Sequence, residues 1–114
     1  MTESLFPFKA KLKSGDKEVQ VEIIQVSHSG LRIDSLKNPL GVNKVFEASF
    51  IFPLTNKTAE VTVVVFKSYA EIVDDFGAPR RTRHLNELVF KNPTRAFNEL
   101  LISFLANLSH RTKV

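Results

Sequence analysis

Cysteine is absent from this sequence. That excludes a disulfide framework, a thiolate nucleophile and a cysteine-based zinc site, and it fits a reducing compartment. No charged n-region followed by an apolar h-region opens the chain, and no apolar run approaches membrane-spanning length. The expectation is a cytoplasmic location without membrane insertion. His28, His84 and His110 are scattered, with no i, i+4 pair and no glutamate at metal-ligand spacing. No glycine-rich loop is present to cradle phosphates. Ser27 and His28 are neighbours, but adjacent strand residues point to opposite faces, so they do not form a nucleophile–base pair. These absences leave no catalytic arrangement. The sequence reads as a binding or interaction domain that is not an enzyme and carries no metal or cofactor.

What is present describes one small globular domain. The 114 residues suffice for one core and fall short of two. The 43% apolar and 25% charged fractions are those of an ordinary soluble protein. The net charge of +4 and pI near 9.6 suit an anionic ligand or partner, and equally a purely solubilising role.

Alternation at period two dominates the first two thirds of the chain. Phe6, Phe8, Ala10 and Leu12 alternate with Pro7, Lys9, Lys11 and Lys13, which predicts an edge or entering strand. Ser14–Lys17 reads as a hairpin turn, followed by a strand over 18–26. Leu31 and Ile33 share one face of the next strand, with Arg32 and Asp34 on the other. Residues 34–41 read as a loop marked by Asn38-Pro39 and Gly41. Phe46, Ala48, Phe50 and Phe52 form the aromatic inner face of a further strand, with a turn at Thr55-Asn56. The strand over 60–69 is apolar on both faces, which predicts cover on both: the interior on one side, the C-terminal helix on the other. The phenylalanines could form a base-stacking surface, but their regular alternation assigns them to the core.

Residues 73–79 read as a loop that leads into Arg80, Arg81 and Arg83, the densest guanidinium cluster, ahead of a last strand over 85–90. This cluster is either solvated, pairing with Asp74 and Asp75, or a contact site for phosphate or an acidic partner, since arginine forks match phosphate geometry. Asn92 and Pro93 read as N-cap and first residue of a helix. Phe97, Leu100, Leu101, Phe104, Leu105 and Leu108 form its single apolar stripe, with Ile102 off it. Ser109–Val114 reads as a frayed basic tail.

The stretch Gln25-Val26-Ser27-His28-Ser29-Gly30 joins the second and third strands as a sharp polar corner, where serine hydroxyls bond nearby backbone and glycine relaxes the backbone. Together with the apolar-Arg-apolar strand behind it, this stretch resembles the PilZ-domain signature (Asp/Asn)-x-Ser-x-x-Gly. Ser27 and Gly30 match, and Gln25 stands where the family has Asp or Asn. The order of strands followed by one helix is similar to the PilZ plan over nearly the whole chain. The resemblance implies a mainly β fold: a small six-stranded antiparallel split barrel over about 6–90, with a C-terminal α-helix over about 93–109 packed on it. It implies a role in bacterial cyclic di-GMP signalling, with Gln25, Ser27 and Gly30 contacting one guanine and its phosphate.

The family's other signature, Arg-x-x-x-Arg ahead of the first strand, is missing, because residues 1–8 contain no arginine. Its loss removes charge-assisted bonds of about 1.5–3 kcal/mol each, so weak or absent dinucleotide binding is expected. Lys9 and Lys11 lack the planar fork that grips phosphate and stacks on guanine. The arginines at 80, 81 and 83 precede the last strand and are a different feature. Two further readings compete with a cyclic di-GMP receptor. One is an adaptor that binds a protein partner, as in pilus or motility control. The other is a basic nucleic-acid-binding barrel, disfavoured because the aromatics are assigned to the core.

Overall fold

The computed structural model describes residues 5–36, 39–73 and 81–112, with the side chains of Val73, Arg81 and residues 110–112 outside that set. Six strands precede one helix: β1 (Phe8–Ser14), β2 (Lys17–Val26), β3 (Gly30–Asp34), β4 (Val45–Phe52), β5 (Lys57–Val73), β6 (Arg81–Phe90) and α1 (Arg95–Thr112). All neighbours are antiparallel, and the order β1-β2-β3-β6-β5-β4 closes into a barrel.

Alternation sorts side chains between interior and surface. Ala10, Leu12, Val21, Ile23, Leu31 and Ile33 point inward and are buried, while the lysines of β1 point out. Gly15 holds a φ of +61° at the first central position of the β1–β2 hairpin, which is where a type II′ turn calls for glycine. β1 is not an edge strand, because it pairs with β2 and with β4. Its lysines are instead balanced across the ladder, with Lys9 opposite Glu22 and Lys13 opposite Glu18.

The helix plugs one end of the barrel and does not lie over the outer face of β5. Phe97, Leu101 and Phe104 are buried in the core formed by the strands. Phe52 stacks on Phe104 at 4.8 Å between centroids and meets Phe50 edge-on at 5.0 Å. The two-sided cover expected for the central strand is therefore wrong. Val61, Val63 and Val65 are buried, but on the other face Phe66 is 66% exposed. Ile102 is exposed as expected.

Asn86 of β6 is fully buried. Its amide nitrogen donates to Ser35 Oγ at 3.0 Å and to the His84 carbonyl at 3.3 Å, and its oxygen accepts from Leu40 N at 3.3 Å. Satisfied in this way, a buried amide anchors the loop after β3 to β6.

Several boundaries differ from the sequence expectation. α1 starts at Arg95, and its cap is Thr94, whose hydroxyl accepts from Phe97 N at 3.1 Å. Asn92 has a φ of 46°, left-handed backbone that suits asparagine in a turn, so it belongs to the connection and not to the cap. The helix continues to Thr112 through most of the expected tail. β5 continues to Val73 and β6 begins at Arg81, so Arg81 and Arg83 lie inside a strand. Thr94→Ala should cost about 1 kcal/mol, read as a shift in the urea midpoint at unchanged m-value.

Candidate functional site

The β2–β3 corner is built by its own side chains. Ser27 N donates to the Gly30 carbonyl at 2.9 Å, and Gly30 N donates to Ser27 Oγ at 3.2 Å. The Ser27 hydroxyl is also 3.2 Å from the Gly30 carbonyl, to which it donates, and 3.4 Å from Ser29 Oγ. The Ser-x-x-Gly spacing thus closes a turn onto itself. Gly30 has a second reason to be glycine. It pairs with Val89 of β6, and a Cβ there would run into the Leu88 backbone carbonyl. Phe90 N donates to the Ser29 carbonyl at 3.0 Å and ties the corner to β6.

Outside this corner the barrel surface carries a shallow concavity of about 360 Å³, lined chiefly by Gln25, Ser27, Ser29, Arg32, Phe66 and Glu87. That volume is at the lower end for a small-molecule site. Gln25 reaches it because β2 shifts register between Ile23 and Gln25, which sets Gln25 opposite Arg32. Arg32 faces Glu87 across the β3–β6 ladder, with Nη2 3.4 Å from Oε1. Arg32 Nε is buried and makes no hydrogen bond among the described residues. Phe66 alternates with the buried Val61, Val63 and Val65, so its ring lies outside, and it stands at the second register shift, between Val65 and Lys67. Val89, 42% exposed, continues this apolar lip.

The structure thus brings Gln25, Ser27 and Gly30 together and sets Arg83, of the expected arginine cluster, elsewhere. Arg80 and the 74–79 stretch, with Asp74 and Asp75, lie outside the described residues. Arg83 Nε is 3.4 Å from Asp34 Oδ2, and Asp34 Oδ1 accepts from Leu36 N at 2.9 Å. Arg83 stands six residues before Val89 on β6, roughly 20 Å along the strand from the Gly30 corner. Arg81 is farther still. Sequence reasoning did not single out Arg32, Phe66 or Glu87. Arg32 could have been found, since it is the outward residue of the strand that follows the corner. Phe66 could have been found as well, since alternation with the buried Val61, Val63 and Val65 already sets it on the outer face.

Among the described residues, no three of His, Asp and Glu gather to hold a metal ion. No described helix is long and apolar enough to cross a membrane.

No protein-family model matches the chain, and no curated protein matches it in sequence. Among solved structures, the PilZ domain of YcgR from Escherichia coli, determined with c-di-GMP, superposes with a TM-score of 0.73. The match covers 96% of this chain and 90% of that one, at 13% identity. The chain has a PilZ-like fold. In this PilZ-like barrel the Ser27–Gly30 corner lies where β2 hands over to β3, and the concavity lies on the outer wall beside it.

Proposed function

We propose that this PilZ-like domain is a non-catalytic module of bacterial cyclic di-GMP signalling whose own affinity for the dinucleotide is weak or lost. One observation carries this reading. Among the described residues, the concavity beside the corner is lined by a single cation, Arg32, and its guanidinium is paired with the Glu87 carboxylate at 3.4 Å. The two charges cancel, so the surface offers no net attraction to a phosphodiester, and the carboxylate repels one. Ser27 has already committed its hydroxyl to the turn.

The second reading, an adaptor for a protein partner, is favoured by the exposed pair Phe66 and Val89 on the same wall. An exposed aromatic beside a polar rim is the composition of an interface anchor.

Calorimetric titration with cyclic di-GMP, with GTP as control, separates the two. Wild type should show no saturable heat, or a dissociation constant weaker than about 10 μM. Glu87→Gln removes the repelling charge and should tighten binding roughly tenfold, and Ser27→Ala should abolish it. Submicromolar binding by wild type would refute the weak-receptor reading. Silence from both wild type and Glu87→Gln would support the adaptor.

A further inference from the structure

β5 is longer than the barrel needs. On its β4 side the ladder ends with Val45 opposite Val64, extended one step by the Val65 N to Lys44 carbonyl and Asn43 N to Val65 carbonyl bonds. Beyond that point, residues 67–73 pair with β6 alone. Their other edge meets no strand among the described residues. Proteins with such open edges pair them or protect them. Lys67 and Glu71 are exposed, and Ile72 is 69% exposed.

The charges on the outer face show what fits this edge. In one row across the sheet, Arg32 stands opposite Glu87, and Glu87 stands opposite Lys67. Farther along, Arg83 stands opposite Glu71. Signs alternate from strand to strand, and the edge itself presents Lys67 and, four residues on, Glu71. A strand added antiparallel with its two-fold axis at Tyr69 sets Lys67 opposite Glu71 of a second copy, and Glu71 opposite its Lys67. The row then reads Arg32, Glu87, Lys67, Glu71 of the second copy, Arg83 of the second copy, with alternation unbroken. A shift of the axis to Ser68 sets Lys67 against Tyr69, and a shift to Ala70 sets it against Val73. Of these three registers, the Tyr69 one alone is complementary in charge.

We infer that this chain forms a homodimer by antiparallel pairing of the β5 edge, residues 67–71, about a two-fold axis at Tyr69. The occupant is a second copy because the edge complements itself, as an isologous interface must. The contact is a few strand residues wide, so the dimer is weak and salt-sensitive.

Sedimentation velocity over a concentration series tests this on the full chain. Wild type should self-associate, less so at high salt. Lys67→Glu alone and Glu71→Lys alone should each be monomeric, because each sets like charges opposite one another. An equimolar mixture of the two should dimerise, since the carboxylate introduced in one variant then meets the ammonium introduced in the other. Recovery on mixing cannot come from a variant that fails to fold. Because the chain has no cysteine, Tyr69→Cys adds a second readout. Directly opposed Cα atoms at about 4.5–5.5 Å allow a disulfide, so oxidation should cross-link this variant much faster than Lys13→Cys on β1. A wild type that stays monomeric at the highest soluble concentration would overturn the inference. So would a mixture that stays monomeric, or a Tyr69→Cys rate equal to that of Lys13→Cys.

Discussion

Gly30→Ala should destabilise the barrel by about 3 kcal/mol, among the larger effects open to a single methyl group. The reason is backbone against backbone. The added Cβ would meet the carbonyl of Leu88, on the strand that pairs with β3, and a carbonyl in a ladder has no rotamer by which to yield. Either β3 and β6 separate locally or the corner rotates and strains the Ser27 bonds. In urea the midpoint should fall sharply, and the melting temperature should drop by roughly 10–20 °C. Gly15→Ala is the control. Nothing lies within 4 Å of a Cβ there, so only the left-handed φ opposes it, at about 1–2 kcal/mol. Equal costs at the two sites would refute the close-approach account of Gly30. This result bears on function as well. Half of the Ser-x-x-Gly motif has a structural job that is independent of any ligand, so loss of binding in Gly30→Ala would say little about contacts. Glu87→Gln, whose side chain lies outside the turn, is the informative variant.

Phe52→Ala should cost about 3–5 kcal/mol. Phe52 is fully buried at the end of β4 and touches Phe50, Phe97 and Phe104, so it joins the barrel interior to the helix that plugs it. Its loss opens a cavity at the joint between two elements. The helix, held mainly by its apolar stripe, should respond first. Hydrogen exchange should show amides around Leu101 losing more protection than those around Ile23 or Ile33 in the barrel wall. Equal loss throughout would mean that the helix and barrel unfold as one unit. Phe104→Leu keeps most of the volume and should cost well under half as much.

Much of this architecture was legible because period two and period 3.6 are local properties of a chain. The alternation through Ala10, Leu12, Val21 and Ile23 sorted the barrel wall, and the stripe from Phe97 to Leu108 gave the helix its buried face. The Ser27–Gly30 corner was legible because its hydrogen bonds close within four residues. The helix cap was misplaced for a local reason too, since Asn92 and Thr94 are both good caps and only the left-handed backbone at Asn92 decides between them.

The chain's own pattern of residues thus determined six strands followed by a terminal helix, a polar corner between β2 and β3, and the lack of arginine ahead of the first strand. Tertiary structure alone decided the rest. The register shift after Ile23 put Gln25 on the outer wall and that after Val65 set Lys67 opposite Glu87, because a bulge reverses the face that alternation assigns. Pairing across 55 residues of chain set Arg32 against Glu87, and pairing across 49 set Arg83 against Asp34, far from the corner. Which cation meets which anion depends on strand order, and strand order is fixed by closure of the whole barrel rather than by any stretch of it.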